Sequence, residues 1–334
     1  MTYPPTIMVC GDMNADSFAE NVAYTFREMG FAVLTPPVTS PNPYIYRLRA
    51  YSHLLRQKLT PRNYRSDREK WLLKTAKEHR PQFLLAITDC ISEGTLFELK
   101  KLGVEHRMAW WGDPPGNLAR LDLLSQEWDA IFLKDRDAVT KFRLIKLNAH
   151  YLPEAINPAW HKPLAAKVNN STVIAGNFYG YRQVLVRQLL KDGIELSLYG
   201  NNLPLWTLPE IKQHGIAKYI VKEEKSRVFG AALACLNTST QREGNSLNCR
   251  AFEVAGAGGL QMMEFKPIVA EAFEPGKEIL VFSEYEELLD LLARAKRSYA
   301  EMIPIRENGA RRALAEHTYR HRLTAMLKVL NVEV

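Results

Sequence analysis

Arg250 and Glu253 stand three residues apart in the run EGNSLNCRAFEVAGAGGLQ (243–261), behind a polar loop carrying Asn245, Ser246 and Asn248. On a helix that spacing puts a cation and a carboxylate on one face. A nucleotide-sugar requires both signs at once: cations and N–H donors for the diphosphate, and a carboxylate to accept the ribose hydroxyls. An exposed ion pair at i,i+3 would explain the same spacing and would contribute only about 0.2–0.5 kcal/mol. The neighbours favour the ligand. Phe252, Val254 and Ala255 read as a packed face, where a carboxylate is costly unless it is paired or used.

A second cluster lies upstream, in AGNFYGYRQVLVRQLL (175–190), a strand end, a glycine-bearing loop and a helix starting near Tyr181 and Arg182. A helix N-terminus offers unpaired N–H groups and a positive dipole end, and an arginine in its first turn adds a bidentate phosphate donor. Gly176 and Gly180 would let the backbone approach a diphosphate, or would simply make a tight turn. The pattern is not GxGxxG, which disfavours a dinucleotide cofactor.

These clusters need elements to hold them, and the chain supplies an alternation of apolar strands and helical patterns. In the first half the spacing predicts strands over 6–11, 31–36, 83–89, 106–113, 130–135 and 150–156, with helices over 17–29, 93–102, 117–126 and 137–147. The segment 44–80 reads as two helices broken at Thr60–Pro61, because proline cannot continue a helix. In the second half strands are expected over 171–177, 194–200, 232–239, 260–264 and 279–282. Helices are expected there over 180–192, 223–231, 248–258 and 284–297, with one or two closing helices over about 306–330. This rhythm predicts two α/β domains, each a doubly wound parallel sheet covered on both faces. The linker falls in LPEAINPAWHKPLAAK (152–167). The expected division is 1–160, with the basic insert 44–80, then 168–305, then closing helices over 306–334. Ligands of such sheets sit beyond the carboxyl ends of the strands. Asn237 and Thr238 end the strand ALACLNTS and are expected at that edge, with AKYIVKEE (217–224) beside the base.

Composition bounds the partners. With 334 residues, 46% hydrophobic and 24% charged, the chain has the make-up of a globular protein. No apolar run reaches the roughly 18 residues that span a bilayer, and the N-terminus lacks the pattern of a signal peptide. Cys10, Cys90, Cys235 and Cys249 are scattered without CxxC spacing, which suits free thiols in the cytoplasm and argues against zinc. Between Tyr44 and Arg80 there are 11 Lys/Arg against three acidic residues, a net of +8 within a chain of +7. Such a segment is either a solvated helical face or an attraction for an anionic partner.

The run RAFEVAGAGGLQ, followed by FEPGKEILVFSEYEELLDLL and closed by ENGARRALAEHTYRHRLTAML, resembles the glycosyltransferase group 1-like module of the spore-maturation (CgeB-like) glycosyltransferases, over about 171–328. The N-terminal half is similar only through the W-x-D-P element at Trp111 to Pro114 and the LPEAINP run. The resemblance implies a GT-B fold: two Rossmann-like domains facing a cleft, no DxD-type metal site, and a C-terminal helix returning to the first domain. It implies that Glu253 holds the donor ribose and that the loop before it reaches the diphosphate and sugar. The wider superfamily often carries a second glutamate seven residues earlier. That place is Ser246 here, and Glu243 lies near it at a different spacing.

On the N-terminal side the loops GDMNADS, TDCIS and WWGDPPG bring Asp12, Asp89 and Asp113 to strand ends. An inverting transfer needs a base for the acceptor hydroxyl. Asp113 is the preferred candidate, with Trp110 and Trp111 as an acceptor-side stacking wall; it could equally cap the helix after Pro115. His317 and His321 lack the glutamate of HExxH, and no metal is expected. The expected activity is metal-independent hexosyl transfer from a nucleoside diphosphate-sugar, a co-substrate rather than a cofactor. The acceptor hydroxyl would belong to a glycan, lipid-linked, protein or nucleic-acid partner. Two alternatives stay open: a nucleotide-sugar epimerase of the same fold, and a module whose basic insert binds nucleic acid or an anionic surface.

Overall fold

The computed structural model describes residues 4–37, 65–113, 121–201, 203 and 205–332. The chain divides into two compact units, Met1–Pro153 with Arg322–Val334, and Glu154–His321.

The first unit is built on a six-stranded parallel sheet of β1 (Thr6–Cys10), β2 (Ala32–Leu34), β3 (Phe83–Ile87), β4 (His106–Trp111), β5 (Ala130–Leu133) and β6 (Ala149–Tyr151). Their order is β2-β1-β3-β4-β5-β6. Strands β3 and β5 are buried at every residue. This explains why they read as unbroken apolar runs rather than alternating ones: helices cover both faces. Those described are α1 (Phe18–Glu28), α2 (Asp67–His79), α3 (Glu93–Lys101) and α4 (Arg136–Leu144). Each start carries its local signal. Ser17 caps α1 by accepting from the Glu20 amide at 3.2 Å, and Ser66 and Glu69 form a capping box on α2.

The second unit holds a five-stranded parallel sheet of β7 (Thr172–Ala175), β8 (Leu196–Tyr199), β9 (Ala234–Asn237), β10 (Gln261–Glu264) and β11 (Leu280–Phe282). Their order is β11-β10-β9-β7-β8. The connecting helices are α5 (Gly180–Lys191), α6 (Pro209–His214), α7 (Glu223–Ala231), α8 (Cys249–Gly256), α9 (Pro267–Ala272) and α10 (Tyr285–Arg297), followed by α11 (Ile303–Glu316); α12 (Tyr319–Val329) belongs from Arg322 on to the first unit. Ile174, Val186, Leu189, Leu198, Leu236, Met262 and Leu288 fill one face of the sheet. Val173, Cys235, Phe229 and Val254 fill the other.

The sequence-based strands run one to four residues too long, since the residues at one or both ends of each apolar run leave the ladder for loops. The helix expected over 117–126 is corrected in its described part: Leu121–Leu124 is one 3-10 turn, and 114–120 fall outside the described residues. The second helix expected in the basic insert is α2; the first lies outside them. The closing segment 306–330, expected as one or two helices, is two, divided at His317, which is not helical. Two short helices, α6 and α9, start at prolines, where a missing N–H costs nothing, and their shortness hid them from a periodicity argument.

Glu69 ties two helices together. It is buried and accepts from the Ser92 amide at 3.0 Å and the Thr95 hydroxyl at 3.0 Å, so α2 and the start of α3 share one carboxylate. Burial pushes its carboxyl upward, but hydrogen bonds from Ser92 and Ser66 outweigh this and hold it below the ordinary 4.5. A depressed folded-state value stabilises above the unfolded-state value, and that gain disappears as pH falls through the folded one. Glu69→Gln is therefore expected to cost about 1–3 kcal/mol near neutral pH. In urea titrations the gap between variant and wild type should close below about pH 4.

Candidate functional site

The second sheet reverses its winding between β7 and β9, and the loops leaving these two strands open a crevice at their carboxyl ends, where open α/β sheets take ligands. A cavity of about 200 Å³ lies there, lined by Gly176, Asn177, Arg182, Tyr219, Asn237, Thr238, Thr240, Glu243, Asn248 and Arg250 among others. Gly176 follows β7 with φ +122, a conformation open to glycine alone in practice. Its bareness matters as much as its angle. A Cβ at Gly176 would stand 2.9 Å from Arg250 Nη1 and 3.1 Å from Arg182 Nη1. Two guanidinium groups thus converge on one bare piece of backbone.

Arg182, in the first turn of α5, is buried. Its Nε donates to Thr238 Oγ1 at 2.9 Å, Nη2 to the Thr238 carbonyl at 2.6 Å and Nη1 to the Asn177 carbonyl at 2.7 Å. The expectation of a bidentate phosphate donor is corrected in part, since three of its five N–H groups tie the loops after β7 and β9 together. Burial, and then the like charge of Arg250, push its pKa down to about 10.

Asn248 caps α8, accepting from the Ala251 amide at 3.2 Å, and its side chain pairs with that of Asn237 at 3.2 Å. One turn into α8, Glu253 is 4% exposed. It receives Lys225 Nζ at 2.7 Å on Oε1 and Arg250 Nε at 3.3 Å on Oε2. Arg250 in turn donates through Nη1 to the Ala175 carbonyl. Burial works against the Arg250 charge, and Glu253 more than offsets it, holding that guanidinium above its ordinary value. The exposed i,i+3 pair weighed from the sequence is thus corrected to a buried triad.

Lys225 is the member the sequence reading missed. It is as buried as a core residue, on α7. Its signal was present: Lys225, Phe229 and Ala232 recur at i, i+4 and i+7, which puts the lysine on the inward stripe.

Three expected contacts fall elsewhere. Ser246 is fully buried and gives its hydroxyl to the Glu243 carbonyl at 2.6 Å, so it shapes the loop and does not line the cavity. Asn245 accepts from the Ile268 amide at 3.0 Å and serves the start of α9. Tyr181 is 44% exposed, and partial burial, then the neighbouring Glu264 carboxylate, push its phenol up to about 12.

In the first unit the corrections are larger. Trp110 is wholly buried, its Nε1 donating to the Leu152 carbonyl at 2.9 Å and its ring edge-on to Phe18 at 4.7 Å. Trp111 lies in the core cluster with Met8, Leu84 and Leu133. Neither forms a stacking wall, because both strand faces there are covered. Asp89 pairs with Arg68 at 2.9 Å and receives the Cys10 thiol at 3.1 Å. Burial, then Asp89, push that thiol well up. Asp12 is exposed and makes a local turn, accepting from the Asn14 amide at 3.1 Å. Asp113 is exposed, and the helix it could cap lies outside the described residues. His317 packs between Phe252 and Phe273 and donates to the Ala272 carbonyl at 2.8 Å, as a core histidine.

Residues 182–328 match a family model described as glycosyl transferase-like. Among solved structures, HepE of Anabaena in complex with UDP and glucose superposes with TM-score 0.68 at 10% identity, covering 98% of this chain and 99% of that one. Sucrose-phosphate synthase from Thermosynechococcus elongatus gives 0.65 at 10%, covering 98% of each chain. A glycosyltransferase from Rickettsia africae gives 0.60 at 9%, covering 99% and 100%. The architecture is GT-B. No curated protein matches the chain in sequence. At such identities the likeness is one of fold.

Removing Lys225 tests the buried triad. Lys225→Met strips the 2.7 Å ion pair from a buried carboxylate and is expected to cost about 3–5 kcal/mol, read as a lowered midpoint in urea. Lys225→Arg, which keeps the charge, should recover most of it.

Proposed function

We propose that the protein is a glycosyltransferase that moves a sugar from a nucleoside diphosphate-sugar to an acceptor hydroxyl, within the CgeB-like group. The supporting observation is the meeting of Arg182 and Arg250 over Gly176 at the switch point of the second sheet. Two guanidinium groups held together in a partly buried crevice repel each other, and a diphosphate relieves that repulsion. Its charge grows as the glycosidic bond breaks, so cations already in place favour the transition state over the ground state. In this reading the two arginines and the α5 and α8 N-termini take the leaving diphosphate, with no resident metal ion or cofactor. Glu253, held by Lys225 and Arg250, is the carboxylate proposed to take the ribose hydroxyls.

Asp113 is the proposed base toward the acceptor. An anionic acceptor carrier would suit the +8 segment 44–80. Free cysteines at all four positions are in keeping with work in the cytoplasm. No helix among the described residues is long and apolar enough to cross a membrane.

A thermal-shift panel of UDP, GDP, TDP, CMP and ADP, with and without magnesium or EDTA, tests the donor reading. One diphosphate at about 100 times its Kd should stabilise the fold by about 2.7 kcal/mol, independently of metal. Arg250→Ala should abolish that shift. No stabilisation by any of the five would overturn the proposal, and loss of the shift in EDTA would overturn its metal independence.

A further inference from the structure

Eleven large hydrophobic side chains stand exposed among the described residues, and six of them fall between 179 and 219 in the second unit. They are Tyr179, Tyr181, Val184, Leu205, Trp206 and Tyr219. Single apolar residues on a surface are ordinary, but a cluster marks a place where something docks. Tyr181 and Val184 lie three apart on α5 and share its outer face. Tyr179 and Tyr219 line the cavity that holds Arg182 and Arg250, so the cluster borders that cavity.

Leu205 and Trp206 form its tip. Leu205 is 96% exposed and Trp206 63%, yet the loop that carries them is anchored. Leu203 and Leu208 pack on the core of the second sheet, and Thr207 is buried. The Leu208 amide donates to the Gln183 side chain at 2.9 Å, and that buried glutamine donates in turn to the Phe178 carbonyl at 2.9 Å. Lys212, on α6, gives Nζ to the Leu205 carbonyl at 2.8 Å. Fraying therefore does not explain the exposure. The backbone is held on both sides while two large apolar side chains forgo the dominant favourable term in folding.

The shape and chemistry of the tip select a bilayer over a protein. A side chain almost wholly clear of its own protein is a knob and offers no groove to a partner. A protein would need a matching pocket for it, whereas a lipid interface takes it wherever it lands. Tryptophan and tyrosine concentrate at the level of the headgroups, where an apolar ring and a polar tip are both satisfied. Charge agrees. Across α5 and α6, outside the buried Arg182, Arg187, Lys191 and Lys212 stand against Glu210, a net of +2. A lysine stem lies along apolar surface with its ammonium at the phosphates, and each such cation adds attraction to an anionic leaflet.

We infer that the Leu205–Trp206 tip, with Tyr181 and Val184 on the helix that anchors it, inserts into the interface of an anionic bilayer. The second unit is thereby held on a membrane surface without spanning it. Attachment of this kind needs no nucleotide, so it stands or falls apart from the donor reading.

The full chain is sedimented with vesicles of phosphatidylcholine alone, and with vesicles of equal parts phosphatidylcholine and phosphatidylglycerol. Wild type is expected to bind the mixed vesicles and to show blue-shifted tryptophan emission on them. Leu205→Ser combined with Trp206→Ser should weaken that binding by roughly 10- to 100-fold, about what burying one large apolar side chain contributes. The urea midpoint should stay in place, since both side chains are exposed. Trp206→Phe keeps an apolar ring and should bind as wild type does, but without the blue shift; Trp110, Trp111, Trp128 and Trp160 are buried and cannot supply it. A shift that persists in Trp206→Phe would put the lipid contact elsewhere and overturn the inference. Equal binding by wild type and the double variant would do the same, and would assign the vesicles to the basic segment 44–80. Absence of wild-type binding would overturn it too. In that case a dimer in analytical ultracentrifugation that the double variant dissolves would make a second copy the occupant of the tip.

Discussion

A carboxylate taken out of water is tolerable only with cations at hand, and in the second unit Glu253 is held between Lys225 and Arg250. Their mutual attraction offsets the desolvation of three charges only while the geometry holds. That demand joins α7 to α8, and through the Arg250 bond to the Ala175 carbonyl it joins α8 to β7. The guanidinium is thereby carried to the end of the strand where Gly176 leaves a bare backbone. Without the pair, Arg250 would be a long flexible side chain with a choice of rotamers. With it, a cation waits in a fixed place, and the ordering cost is met on folding instead of at each binding event.

The two sheets wind alike, each reversing beside its first strand, but the chemistry at the two reversals differs. In the first unit the loops beyond β1 and β3 are closed by their own partners, with Arg68 on Asp89 and the Cys10 thiol beside them. In the second unit two arginines face one crevice with Glu253 committed to Lys225 as well. Equal topology thus yields one self-satisfied strand edge and one edge with cationic character. This is why fold alone says little about activity and the side chains at the switch point say more.

Much of the architecture was legible in the sequence because it depends on local pattern. Buried parallel strands announce themselves as short apolar runs, and the end of β7, the glycines and the start of α5 sit where composition places them. Arg250 and Glu253 were readable from spacing and from their apolar neighbours, since a helix fixes which residues share a face. Asn237 and Thr238 were readable from their position at a strand end. Aromatic residues misled: Trp110 and Trp111 precede a loop and look available, yet they still belong to β4, whose two faces are both covered.

The sequence by itself determined the element order, the parallel sheets and the helix that carries the paired charges, because those follow from periodicity over neighbouring residues. Only the tertiary structure decided how those charges are used. Lys225 is 28 residues from Glu253 along the chain, and Arg182 is 56 from Thr238; nothing local links them. Whether a lysine on an inward stripe finds a carboxylate, whether Ser246 or Glu243 faces the crevice, and whether a cation keeps N–H groups for a ligand depend on which loops meet across the sheet. Those meetings are set by packing between distant segments, where the same residue types have quite different roles according to what lies opposite them.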